Sequence, residues 1–354
     1  MTGTLDIAIQ KTLKSRINEV DFNNIPFGKV YSDHMFVADY KDGQWGDLRI
    51  VPYENLSLSP ANAALHYGQS IFEGMKAHKG PDGRALVFRP EKNAQRFNRS
   101  AVRMCMPEIP EEIFVGGIDA LVNLDKDWIP ENEGNSLYLR PFMFAADEYI
   151  GVRPSLTYKF MIFTCPVGGY YSKPVRVKVE TKFVRAAEGG TGAAKTAGNY
   201  AASLYPAQLA AQQGYDQLIW TDSKTHTLIE EAGTMNIMLV IDNKLLTPPT
   251  SGTILEGVTR ESILELARDW GMDVVERKLT VDEIITAIKE NRLQEAFGAG
   301  TAATVAHISA IGHEGVDYEL PAIESREFSN KVLKEMEAIK RGEKDDRFGW
   351  IHKI

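Results

Sequence analysis

Hydrophobic and polar positions change period several times along the chain. YSDHMFVADY (31–40) and RALVF (84–88) carry the dense apolar and aromatic content of strands. PEKNAQRFNRSAVRM (90–104) instead repeats Ala94, Phe97 and Ala101 at helical spacing. The first half therefore predicts an α+β arrangement. Glycine and proline then gather in CPVGGYYSKPV (165–175) between two apolar runs, which predicts a boundary: a domain over 1–168, a linker over 169–175 and a second domain over 176–354. Beyond it PVRVKVE alternates as a strand, and YAASLYPAQLAAQQ reads as a helix in spite of Pro206. QLIWTD and TMNIMLVI read as buried strands. TRESILELARDWG predicts a helix with Ile263, Leu264, Ala267 and Trp270 on one face and Gly271 as its stop. The charged amphipathic stretch at 327–341 predicts a solvated surface helix.

Composition narrows the function classes. With 354 residues, 44% hydrophobic and 25% charged, the chain has the make-up of a folded protein of about two domains. A formal net charge of -8 argues against nucleic acid or an anionic membrane as partner and points to a small molecule. The two cysteines, Cys105 and Cys165, lack Cys-x-x-Cys spacing, so they predict neither a disulfide framework nor a thiolate metal site; both are read as buried and inert. The seven histidines contain no His-x-x-x-His pair, and no metal is expected. The longest apolar run, IMLVI (237–241), is too short to span a bilayer, and MTGTLDIAIQ lacks the features of a leader. A cytoplasmic location is the expectation.

The chemistry gathers around GGTGAAKT (189–196), which raises two readings for Lys195. A phosphate loop of the Walker type requires a glycine where Ala194 stands, because the backbone amides must close on the phosphates. That reading, a nucleotide-binding phosphohydrolase, would use the aspartate that ends QLIWTD to hold magnesium. The alternative makes Lys195 a nucleophilic amine whose small neighbours leave room for a flat cofactor. Further on, IEEAGTMN sets two acids, Glu230 and Glu231, before a small-residue turn. In LEGVTRES, Gly257, Val258 and Thr259 open a helix whose amides can bind an anion. FGAGTAATVAH is a third glycine-rich turn, read as a phosphate or carboxylate nest.

FGKVYSDHM (27–35), LHYGQSIFEGMKA (65–77), SLYLRP (136–141), GGTGAAKTAGNYAAS, EEAGTMN and ILEGVTRES, in this order, resemble the branched-chain amino acid aminotransferases of the larger, mammalian-like type. The resemblance runs through most of the chain. It implies the two-domain fold type IV of pyridoxal-phosphate enzymes, the fold also of D-amino acid aminotransferase, with a smaller N-terminal α/β domain and a larger, barrel-like C-terminal domain. It implies Lys195 as the Schiff-base lysine and proton carrier, Glu231 at the ring nitrogen with Glu230 as its rival, and Tyr200 at the ring hydroxyl. Leu255 would pack on one ring face, and the phosphate would lie on Arg96, Gly257, Val258, Thr259 and Thr301, with Thr234 also beside the cofactor. It further implies an α-carboxylate site at Tyr67, Thr301 and Ala302. The side-chain pocket would comprise Phe27, Phe72, Tyr138, Tyr200, Thr234 and Ala302, closed by Ile150 and Val152 of a second subunit in a homodimer, with Arg140 receiving the distal carboxylate of glutamate. The implied reaction exchanges the amino group of leucine, isoleucine or valine with 2-oxoglutarate. D-Amino acid aminotransferases and aminodeoxychorismate lyases share the fold and stand as the alternatives within it.

Overall fold

The structure, a computed structural model, describes residues 5–26, 28–132, 134–169 and 173–354. The chain falls into two compact units, Met1–Tyr170 with Ala194–Ala197 and Ala338–Ile354, and Tyr171–Ala193 with Gly198–Glu337. The sequence pattern alone assigns 176–354 wholly to the second domain. The structure instead groups 194–197 and 338–354 with the first, which is thereby no smaller than the second. The reason is strand pairing: Ile351–Lys353 runs antiparallel beside Ala85–Phe88, and Thr196 bridges Ile71.

In the first unit nine described strands form one sheet. Its order is Ala8–Ile9, Gln44–Pro52, His34–Lys41, Tyr158–Val167, Ser136–Ala145, Met75–Lys79, Ala85–Phe88, Ile351–Lys353, with Ser70–Phe72 also paired to Ser136–Ala145. His34–Lys41 turns into Gln44–Pro52 through Asp42 and Gly43, both at positive φ (53° and 81°), the conformation that matches a hairpin's right-handed twist. The helices Pro90–Arg103 and Glu111–Leu124 share the sheet's apolar core. Phe36, Phe97, Phe114 and Phe160 are all 0% exposed there, each burial contributing about 1.5–3 kcal/mol. Ala94 and Ala101 pack beside Phe97, as their spacing predicts.

His352 ties the last strand down: Nε2 hydrogen-bonds Asp119 at 2.7 Å, and Nδ1 lies 3.4 Å from Glu91. These carboxylates push the imidazole up to about 10 from an ordinary 6.5. Because the folded value is the higher one, the stabilisation is complete below about pH 6.5 and is lost as pH rises through about 10. Denaturant midpoints of the protein and of His352→Asn should differ most at the acid end of this window and converge above it; a gap independent of pH would contradict the assignment.

The second unit is built on a sheet that closes on itself. Ile229–Ala232, Gln217–Thr221, Val175–Val179, Thr304–His313, Leu293–Gly300 and Met235–Ile241 pair in that order, and the last pairs back to the first, making a six-stranded barrel among the described strands. Every residue of Met235–Ile241 is buried, as the apolar run from Ile237 requires, and Asn236 is buried with its amide hydrogen-bonded. Val175–Val179 lies parallel to Gln217–Thr221, so the chain must cross over between them. That crossover contains GGTGAAKT and the helix Ala197–Gln212, which continues through Pro206. Gly271, at φ 77°, follows the helix Val258–Asp269 as expected. The helix Glu327–Lys340 departs from its reading as a solvated element. Ser329, Val332 and Met336 are each 0% exposed, and the Glu295 carboxylate accepts from the amides of Phe328 and Ser329 at its start. Most of the charges that dominate its composition are exposed or half-buried, but Lys340 is buried with the apolar positions.

Candidate active site

In the first unit Lys195 is held by its backbone. Its N–H donates to Ser100 Oγ at 2.9 Å, its carbonyl accepts from the Phe72 amide at 3.0 Å, and Thr196 Oγ1 donates to the Ser70 carbonyl at 2.8 Å. The chain is thus pinned while the ammonium reaches over the Phe72 ring, 4.9 Å from its centroid. Arg140 lies 4.7 Å from the same centroid and donates from Nη2 to Tyr138 Oη at 2.9 Å. Two cations therefore share one aromatic ring. Tyr138 can approach because residue 74 is glycine: a Cβ there would stand 2.0 Å from the phenol oxygen.

Arg96, on a helix that otherwise reads as surface, is buried, because Asn93, Arg96 and Ser100 form a polar stripe that turns inward with Phe97. Its Nε and Nη2 fork onto Glu73 at 2.7 and 2.8 Å. Both partners are buried, a setting in which such a charge requires its counterpart.

In the second unit the two candidate acids sit side by side on Ile229–Ala232, where successive side chains face opposite ways. Glu231 Oε2 lies 2.7 Å from Arg185 Nε. That Nε makes no hydrogen bond, so the contact is one of charge. Oε1 accepts from Asn236 Nδ2 at 3.1 Å and from the Leu255 amide at 3.3 Å. Asn236 Nδ2 also donates to the Leu255 carbonyl at 2.9 Å. Glu230 makes none of these contacts and accepts from Thr253 Oγ1 at 2.6 Å. Close by in sequence, Gly257 begins the helix Val258–Asp269 with no side chain capping it, and a Cβ at 257 would stand 2.0 Å from Asn236 Oδ1. Val258 and Thr259 thus open a helix whose start favours an anion.

Thr301 and Ala302 occupy the turn of the β-hairpin between Leu293–Gly300 and Thr304–His313. Thr234 is exposed in the turn after Ile229–Ala232, and Tyr200 lies half-buried on Ala197–Gln212. Tyr67 ends the short helix Ala63–Tyr67 at 40% exposure; Ile150 and Val152 stand out at 70% and 88%. Phe27 lies outside the described residues. Among the described residues no group of His, Cys, Asp or Glu could hold a metal ion, and no helix is long and apolar enough to cross a membrane. Cys165 is buried, its thiol pushed up to about 11 by that burial, but Cys105 is exposed, contrary to expectation, in a left-handed turn just after Pro90–Arg103. Arg185, Asn236 and Glu73 escaped the sequence reading. Asn236 and Glu73 stand inside quoted motifs, and Arg185 lies ten residues before Lys195, so a search for charges partnering the expected ones would have raised them.

A model of the family described as Amino-transferase class IV matches residues 70–311. Branched-chain-amino-acid aminotransferase 2 of Bacillus subtilis (strain 168) is 45% identical over 99% of this chain and 97% of its own length. A branched-chain aminotransferase of Thermoproteus uzoniensis, solved with norvaline, superposes with a TM-score of 0.75 at 26% identity, covering 90% of this chain and 99% of that one. The branched-chain amino acid aminotransferase of Thermobaculum terrenum, solved in its PLP form, shares the fold, with a TM-score of 0.72 at 19% identity over 91% of this chain and 98% of its own. A match of this extent, on a chain whose lysine is pinned in a barrel crossover, places it among the class IV aminotransferases, in the branched-chain-amino-acid aminotransferase family.

Proposed function

We propose that the chain exchanges the amino group of leucine, isoleucine or valine with 2-oxoglutarate, with glutamate as the other product, on pyridoxal phosphate anchored at Lys195. The observation that carries this reading is the Glu231 carboxylate, buried against Arg185 and tied to Leu255 through Asn236. A carboxylate with its own counter-charge in a buried place is suited to a protonated ring nitrogen, and the uncapped helix start at Gly257 is suited to a phosphate; the residues fit the group. When bound, pyridoxal phosphate supplies an electron sink for the pair released at the substrate α-carbon.

The chain's own residues do the rest. Lys195 carries the proton to and from the α-carbon, its backbone fixed so that only the side chain moves. Arg96, Gly257, Val258, Thr259 and Thr301 would hold the phosphate, Leu255 and Thr234 would lie beside the ring, and Tyr200 would serve its hydroxyl. Glu231 rather than Glu230 would serve the ring nitrogen, since it is Glu231 that makes the ion pair with Arg185. Phe72 and Tyr138 form an apolar wall suited to a branched side chain, with Arg140 between them to accept the second carboxylate of glutamate. Tyr67, Thr301 and Ala302 hold the α-carboxylate. The exposed Ile150 and Val152 suit the proposed role of closing a neighbouring subunit's pocket in a homodimer.

The test is a pair of measurements on the purified protein: its visible absorbance before and after leucine, and glutamate formed from leucine and 2-oxoglutarate. A band that bleaches with leucine, with glutamate appearing, is expected. A colourless protein that instead hydrolyses a nucleotide with magnesium would overturn the proposal in favour of the phosphate-loop reading of GGTGAAKT.

A further inference from the structure

Glu230 is left without a role by the chemistry above, yet it is 8% exposed and lines a cavity of about 320 Å³ in the second unit, with Leu228, Pro249, Thr253, Ile254 and Lys278 among the other lining residues. Its Oε1 accepts from Thr253 Oγ1, but its Oε2 has no partner. A buried carboxyl oxygen with nothing to bond costs free energy, and here burial pushes the carboxyl up from its ordinary range. The other charges of the cavity are accounted for except one. Asp222 accepts from the amides of Lys224, Thr225, Thr227 and Leu228, which hold it down at about 2. Glu188 and Lys224 pair with each other. Lys278 is exposed and forms no ion pair among the described residues, although its charge helps Lys224 hold the Glu188 carboxyl down.

One buried acid with an unbonded oxygen and one rim ammonium with no ion pair face a cavity in which Leu228, Ile229, Pro248, Pro249 and Ile254 supply an aliphatic part of a wall otherwise made of charged and hydroxyl side chains. We propose that this cavity is a second binding site, for a small zwitterionic amino acid with an aliphatic side chain, its ammonium on Glu230 Oε2 and its carboxylate on Lys278. A ligand with only one charge would leave the other group as it stands. The site bears on the catalytic segment through its own wall: the Thr253 carbonyl accepts from Arg185, the partner of Glu231, and the Gly252 carbonyl accepts from the Ala193 amide, two residues before Lys195. Occupancy therefore bears on Arg185, the partner of Glu231, and on the main chain at Ala193.

Titration calorimetry with L-leucine tests this on the holoprotein after borohydride reduction, which fixes the cofactor and closes the covalent route for amine capture. Saturable binding is expected, weakened about tenfold or more in Glu230→Gln and in Lys278→Ala, since each removes one charged partner, and unchanged in Tyr67→Phe. Lys278 is exposed, so its variant reports even where Glu230→Gln fails to fold. 3-Methylbutylamine and 4-methylpentanoate should each bind about tenfold or more weakly than leucine. Leucine affinity untouched by Lys278→Ala, affinity lost in Tyr67→Phe, or a single-charge compound binding as tightly as leucine would each overturn the proposal. So would the absence of saturable binding, the result for a cavity that holds only water. A protein with no reducible cofactor would contradict the functional reading instead, and the same titration on untreated protein would still decide for or against the cavity.

Discussion

Lys195→Ala should lower leucine transamination by at least about 10³-fold while the protein still unfolds cooperatively near its normal midpoint. The rate loss follows from removing one group with two duties, covalent anchor and proton carrier; general acid–base transfer by itself contributes about 10²–10⁴-fold. The fold should survive because Lys195 is held through its main chain, by Ser100 Oγ and the Phe72 amide, and alanine keeps both bonds. Steady-state rates and a thermal melt read the two effects separately. Turnover within about tenfold of the parent would remove Lys195 from the chemistry.

Glu231→Gln should lose both rate and stability, and this combination sets it apart from its neighbour. An amide cannot balance a protonated ring nitrogen, and a fall of about 10²-fold or more in kcat is expected. Arg185 would then be buried without its counter-charge, which costs about 3–5 kcal/mol and lowers the melting temperature. In Glu230→Gln, by contrast, no arginine loses its ion-pair partner and the amide oxygen can still accept from Thr253, so the leucine half-reaction and the melt should change little. Rapid-mixing kinetics with each variant reads the half-reaction directly. A large loss in Glu230→Gln with none in Glu231→Gln would mean the acids have been exchanged.

Much of the fold was legible because local pattern and tertiary packing agree: Ala94, Phe97 and Ala101, the alternation of PVRVKVE and the apolar run IMLVI within TMNIMLVI all lie where their periods place them. The departures share one cause, interactions between residues distant in the chain. Arg96 reads as surface within its own helix and is buried because Glu73 meets it; Arg185 reads as one more charge in a loop until Glu231 is beside it. The helix Glu327–Lys340 reads as solvated because its charges dominate the local pattern although about half of its positions are buried, and the grouping of 194–197 and 338–354 with the first unit depends on strand partners that periodicity cannot reveal. Glu230 and Glu231 illustrate the limit most sharply. Their residue types are identical, and only the alternation along a strand of known register gives one an arginine and the other a cavity.

The barrel's closure bears on how the chain is made. Val175–Val179 has Gln217–Thr221 on one side and Thr304–His313 on the other, and in the first unit Ala85–Phe88 acquires its outer neighbour only with Ile351–Lys353. During synthesis from the N-terminus, both sheets therefore keep an open hydrogen-bonding edge until late residues leave the ribosome. An exposed edge beside apolar strands invites pairing with other nascent chains, and contacts so far apart in sequence form slowly. Yield of native protein should accordingly be more sensitive to translation speed and chaperone supply over the last third of the message than over the first.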